Sequence, residues 1–197
     1  VTVEGRPDHA GTTPMDMRLD ALKTAAVVIG RIPSFAAEQG GDAVTTVGSL
    51  VVRPGAANVV PGEVEFTVDI RSLDTLSIKA VKDRVRRDLD ERAAADGTAY
   101  RVEQLLEVEP VELDEGIRRV LQDQADGLGF SWRTMSSGAG HDAMIMAPFF
   151  PTGMIFVPSR GGRSHCPEEW TDYEDLQKGV ELLYHAVTAI DSQKAKG

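Results

Sequence analysis

A chain of 197 residues with 42% hydrophobic and 26% charged residues has an ordinary globular composition, and is long enough for one large domain or two small ones. Its formal net charge of -10 gives a long-range field of the wrong sign for phosphate backbones and anionic membranes, which excludes nucleic acid and membrane surfaces as partners. The single cysteine, Cys166, cannot close an internal disulfide, and no apolar run approaches the ~18 residues a bilayer span requires, so a reducing, cytoplasmic setting is expected.

The chain opens on the strand-like alternation Val1-Thr2-Val3 without an initiator methionine, as expected of a piece processed or excised from a longer polypeptide, and residues 1–6 read as a strand. Residues 18–32 carry a helical stripe of Leu19, Leu22, Ala26 and Ile29, and Pro33 is expected to end that helix. Residues 44–52 alternate with β-branched side chains, Pro54-Gly55 turns the chain, and residues 63–70 alternate again through Val64, Phe66, Val68 and Ile70. Two neighbouring strands are predicted there. Residues 74–95 return to helical spacing, with Leu76, Ala80, Val81, Val85 and Leu89 on one face and Gly97 as the stop. Residues 100–108 are predicted as a further strand. The order over residues 1–108 is then βαββαβ, the split βαβ or ferredoxin-like pattern.

After Pro110 the character changes. Residues 116–127 read as a helix, 131–134 as a short strand, and 138–146 as a Gly-rich turn running into apolar residues. Residues 154–157 form a continuous apolar run that suits a strand buried on both faces, and 173–190 a long amphipathic helix with Leu176, Val180, Leu183 and Val187 on its apolar side. Residues 109–197 therefore read as the end of an α/β domain whose other strands come from elsewhere.

Three of the four histidines sit in turns rich in Gly, Pro or Ser, where an imidazole is free to meet a ligand, whereas His185 on the last helix is expected to pack or face water. His9 ends a strand among small residues. Spacing alone serves two readings there equally, hydrogen bonding to a developing oxyanion or capping of the following helix. Asn58 and Arg71 bracket a strand, and an amide and a guanidinium brought to one sheet edge would clamp a carboxylate. Singly, a turn residue and a surface ion-pair partner are the better readings of these two. Ser137-Gly138-Ala139-Gly140-His141-Asp142 delivers a histidine and a carboxylate from a turn that lacks the Lys and Ser/Thr spacing of a phosphate loop. His165 follows the predicted strand 154–157 in a second such loop, where a neutral imidazole suits a transition metal, with Glu168 or Glu169 as supporting or capping groups.

In combination these segments resemble the metal-dependent amidohydrolases of the M20 metallopeptidase-like group, which includes allantoate amidohydrolase, N-carbamoyl-L-amino-acid hydrolase and β-ureidopropionase. The matching runs are residues 9–15 followed by Arg18, Asp20 and Ala21, then 46–50, 58–62 with 69–71, 137–144 and 154–169, spread over nearly the whole chain. The resemblance implies a ferredoxin-like lid or dimerisation domain at 1–108 and the C-terminal portion of an α/β zinc-hydrolase domain at 109–197. It implies a homodimer formed through the lid, a small ureido or amide acid as substrate, and a two-metal zinc or manganese site in the complete enzyme. It also implies His165 as a metal ligand, His141 in substrate binding or stabilisation of the tetrahedral intermediate, His9 near the oxyanion, and Asn58 and Arg71 on the substrate carboxylate, with His9, Asn58 and Arg71 reaching into a partner subunit's site. The family's other ligands, a His-x-Asp motif, a bridging Asp, a Glu-Glu pair and a further His, have no counterpart here. Since catalytic zinc sites use about three protein ligands, the chain alone is expected to be inactive. A non-catalytic dimerisation or binding module, and a fragment of an M20 aminopeptidase, are the alternatives. The turn at 137–144 favours the amidohydrolase branch over the peptidase branch.

Overall fold

The computed structural model describes residues 1–194 and divides the chain into two compact units, 1–110 and 111–197. The first contains β1 (Thr2–Glu4), α1 (Ala21–Gln39), β2 (Val44–Arg53), β3 (Glu63–Arg71), α2 (Thr75–Asp96) and β4 (Ala99–Arg101). All neighbouring strands are antiparallel, in the order β2-β3-β1-β4, which is the ferredoxin-like arrangement. Alternation along the strands sends Val3, Val64 and Phe66 into a core shared with Ala21, Ala25, Val28, Ile32 and Phe35 of α1 and Val81, Val85 and Leu89 of α2. Their strand neighbours Glu4 and Glu65 are exposed.

Both helices begin on an aspartate whose carboxylate takes two backbone N–H groups: Asp20 from Leu22 and Lys23, Asp74 from Leu76 and Ser77. Gly97 closes α2 in the left-handed conformation. Pro33, however, does not end α1, which runs six residues further to Gln39. An interior proline costs ~3 kcal/mol. Continuing the helix buries Phe35 and Ala36 beyond it, and a buried large apolar side chain contributes about 1.5–3 kcal/mol. The hydroxyls of Ser34 and Thr45 also donate to the carbonyls of Arg31 and Ile32.

The last lid strand is also shorter than its sequence suggests. β1 offers three residues, and β4 pairs with all three, Thr2 with Arg101, Val3 with Tyr100 and Glu4 with Ala99. Residues 102–108 form no ladder, and Leu105 and Leu106 are exposed.

The second unit holds α3 (Glu115–Gly127), the short α4 (Asp142–Met146) and α5 (Tyr173–Lys194). Asp114 caps α3 through the N–H of Ile117, and α3 packs on α5. Neither 131–134 nor 154–157 is a strand, and Phe156 is exposed rather than buried. A strand needs a neighbour to take its N–H and C=O groups, and the described residues of this unit supply no ladder. Residues 153–157 instead run against the helices: a Cβ on Gly153 would stand 2.4 Å from Ile117, and one on Gly179 of α5 would stand 2.6 Å from Val157. The apolar stripe of α5, Leu176, Val180, Leu183 and Val187, is exposed, as is Tyr173 at the start of the helix. Ala125 and Ala186 are the only buried apolar residues described in this unit.

Candidate functional site

The first cluster of interest lies where the chain leaves β1 and where it enters β3. Residues 8–10 and 58–60 run antiparallel, with Ala10 N–H donating to Asn58 O at 2.9 Å, Val60 N–H to Asp8 O at 2.8 Å, and His9 bridged to Val59. Gly62 permits this approach, since a Cβ there would stand 2.6 Å from Pro7 Cδ, while Gly5 makes room for the chain entering α1, where a Cβ would stand 2.0 Å from Leu19 O. His9 thus lies opposite Val59, and Asn58 opposite Ala10, in adjoining segments, both residues exposed.

The turn after His9 fixes its imidazole. Gly11 N–H donates to Nδ1 at 3.0 Å, so Nδ1 is the acceptor and the proton of the neutral ring sits on Nε2. Thr12 and Thr13 N–H bond to the His9 carbonyl, and the Arg18 guanidinium spans the loop, donating from Nη2 to Ala10 O at 2.6 Å and from Nε to Thr13 O at 3.0 Å. Arg18 therefore does not open a helix. It ties the turn, a task its position in the sequence did not reveal, because both acceptors are backbone atoms. His9 does not cap a helix either; Asp20 does.

Arg71 lies elsewhere. It is the last residue of β3, while Asn58 precedes the first, so the nine-residue strand separates them by roughly 25 Å at ~3.3 Å per residue. One protomer does not bring the two to one sheet edge. The Arg71 guanidinium is held by Asp69, Nε to Oδ1 at 2.9 Å and Nη2 to Oδ2 at 2.8 Å, and this hydrogen-bonded pairing lowers the Asp69 carboxyl below its usual range and raises Arg71.

In the second unit, His141 stands at the start of α4 without capping it. Its Nε2 meets Ser137 Oγ at 2.9 Å, and the Phe156 ring meets the imidazole edge-on at 5.6 Å between centroids. Ser137 and Phe156 were not singled out by spacing, since their role depends on the fold of the turn. His165 is exposed and takes φ +57°, unusual for a residue with a Cβ. Its N–H donates to Glu169 Oε2 at 2.8 Å, while Glu168 pairs with Arg163 at 3.0 Å. The loop is closed at its base by Arg160 N–H to Trp170 O at 2.8 Å, with Asp172 accepting from Arg160 Nη2 at 3.0 Å and Trp170 Nε1 at 2.9 Å. Strained, tied-down loop residues of this kind cluster at functional sites.

Among the described residues no three His, Cys, Asp or Glu side chains stand close enough together to hold a metal ion. The donor set of these residues therefore does not by itself fit a zinc or manganese centre, which needs about three protein ligands.

An antiparallel β2-β3-β1-β4 unit and a helical unit with histidine loops leave the class open, and comparison with known proteins makes it definite. The chain belongs to peptidase family M20/M25/M40, whose profile matches residues 9–189. It is 46% identical over 191 residues to the N-carbamoyl-L-amino-acid amidohydrolase of Paenarthrobacter aurescens, covering 97% of this chain and 46% of that protein. It is 36% identical to the allantoate amidohydrolase of Escherichia coli K12, covering 93% of this chain and 44% of that one. A solved amidase of the hydantoinase/carbamoylase family from Burkholderia vietnamiensis superposes with a TM-score of 0.90 at 35% identity, over 94% of this chain and 45% of that chain. The chain thus spans a little under half the length of these relatives.

Proposed function

We propose that this chain provides the lid and the C-terminal part of the catalytic domain of a hydrolase that cleaves C–N bonds in N-carbamoyl amino acids or allantoate-like ureido acids. The observation that carries the reading is the pairing of the His9 and Asn58 segments, with His9 held as an Nε2–H donor, in a chain whose relatives are named for those substrates. An imidazole N–H fixed in place before reaction suits an oxyanion formed at a ureido carbonyl, because its dipole needs no reorientation as charge develops. The Asn58 amide on the adjoining segment offers two N–H donors for the substrate carboxylate, and such anchoring lowers the entropic cost of placing the carbonyl.

On this reading His141 contacts substrate and His165 is one ligand of a metal centre. The other ligands come from polypeptide outside these 197 residues, and the chain alone is inactive. The exposed apolar stripe of α5 and the near absence of buried apolar residues in the second unit support such a missing neighbour. The separation of Asn58 from Arg71 along β3 adds a condition. If both grip one small carboxylate, they come from different protomers, which favours a homodimer built through the lid.

The test is a substrate panel run on this chain joined to an upstream half that supplies the remaining ligands. Turnover of N-carbamoyl-L-amino acids or allantoate is expected. Turnover of dipeptides alone would move the protein to the peptidase branch, and no turnover at all, with the ligands confirmed in place, would leave the non-catalytic module.

A further inference from the structure

The contact between Ser137 and His141 carries more than proximity. Ser137 Oγ has two lone pairs and one proton, and the Ala139 N–H, which can only donate, takes one lone pair at 3.1 Å. The hydroxyl proton then has two acceptors within reach, Ala139 O at 3.4 Å and His141 Nε2 at 2.9 Å. A hydroxyl donor prefers 2.5–3.0 Å, so the shorter contact favours donation to the imidazole over the reverse arrangement, in which Nε2–H meets the second lone pair and the hydroxyl turns to Ala139 O. An Nε2 that accepts this hydrogen bond places the neutral ring's own hydrogen on Nδ1.

We propose that Ser137 is a positioning residue that holds His141 as the Nδ1–H tautomer, so that the ring meets its ligand as a neutral donor through Nδ1. The Phe156 ring, edge-on at 5.6 Å and 64°, restrains the imidazole plane. His9 is the opposite case: its Nδ1 accepts from Gly11 and its donor is Nε2–H. The two loop histidines thus present N–H donors from opposite ring nitrogens, each set by a neighbour within four residues. The same Ser–His contact would serve a nucleophilic serine, but that chemistry needs a third group to orient the far ring nitrogen, and Nδ1 of His141 has no hydrogen-bond partner among the described residues.

What oxygen His141 meets rests on the ureido-acid reading; the tautomer is a property of the loop and is measured without any substrate. The experiment is a long-range ¹H–¹⁵N correlation of the imidazoles in the ¹⁵N-labelled 197-residue chain at pH ~8, above the ordinary histidine pKa of about 6.5. The His141 signals are assigned by their loss in His141→Gln. In the parent chain Nδ1 is expected at the protonated and Nε2 at the unprotonated nitrogen position. Ser137→Ala is expected to return His141 to the Nε2–H form that a solvated imidazole prefers, and Ser137→Thr, which keeps the hydroxyl, to retain the parent pattern. An Nε2–H pattern in the parent chain overturns the proposal, as does a Ser137→Ala spectrum in which His141 is unchanged. Should Ser137→Ala not fold, the parent spectrum decides alone. Failure of the ureido-acid reading would leave these spectra as they are, so the two ideas fail separately.

Discussion

Replacing Arg18 with alanine tests whether the turn that carries His9 is held by a side chain or by the backbone alone. The guanidinium makes two hydrogen bonds across the turn, to Ala10 O at 2.6 Å and Thr13 O at 3.0 Å. A hydrogen bond involving a charged group contributes about 1.5–3 kcal/mol, and these two share one partly exposed side chain and do not simply add. A local loss of about 2–3 kcal/mol is therefore expected. Thr12 and Thr13 N–H, which bond to the His9 carbonyl, are the reporters, and their amide exchange should quicken roughly 30- to 150-fold at about 1.4 kcal/mol per decade. The core amides of α1 and β3 should change far less, because Arg18 lies outside that core. Arg18→Lys should recover part of the protection, since one ammonium cannot reproduce the fork. Unchanged exchange at Thr12 and Thr13 in the alanine variant would refute the idea that Arg18 sets the position of His9.

Two buried carboxylates in the lid are expected to respond to pH in opposite senses. Burial raises the Asp88 carboxyl, only partly opposed by Arg31 and Arg84, so its contribution is fully present below the unfolded value near 3.8 and is lost as pH rises through the folded one. Asp88→Asn should melt above the parent protein at pH ~7 and no higher at low pH; a lower melting point at neutral pH would show that the Arg31 ion pair outweighs desolvation. Burial pushes Asp96 up as well, but hydrogen bonds from Lys23, Arg92 and Thr24 win and lower it, so its contribution is present above 3.8 and fades as pH falls through the folded value. Asp96→Asn should cost about 2 kcal/mol in urea unfolding at pH ~7, a figure held down by the exposure of Lys23, and an equal cost at pH ~2 would contradict it. Finally, amides of residues 111–194 should exchange faster than those of the lid, because that unit buries so little apolar surface, and equal protection would contradict this.

The βαββαβ order was legible because the hydrophobic period switches cleanly between two and 3.6, and Gly97 marks a helix end in sequence as it does in space. What failed depended on distant partners. Pro33 sits mid-helix because Phe35 and Ala36 find a core that local propensity does not record. β4 runs only to Arg101, paired with Thr2, and 131–134 and 154–157 have no neighbouring strand among the described residues. Periodicity also found the stripe of α5 without telling which way it faces. Loop placement and small neighbours made His9, Asn58, His141 and His165 candidates, and their roles stand as proposals. The groups that hold them, Gly11 on His9, Arg18 on the turn, Ser137 and Phe156 on His141, act through backbone atoms or tight turns that spacing does not display. The distance from Asn58 to Arg71 was hidden for a simpler reason: thirteen positions in a sequence become a length only once the strand between them is known.

Whether His9 and Asn58 act at a reaction centre to which His165 contributes, as proposed, is most directly measured by mixing two defective dimers of the ligand-complete polypeptide, one Asn58→Ala and one His165→Ala. If each site combines one protomer's lid with the other's metal ligand, the mixed dimer carries both lesions in one site and leaves the other intact. Random exchange should then restore about one quarter of the parental ureido-acid turnover. Mixtures no more active than the separate variants would contradict a centre shared between protomers.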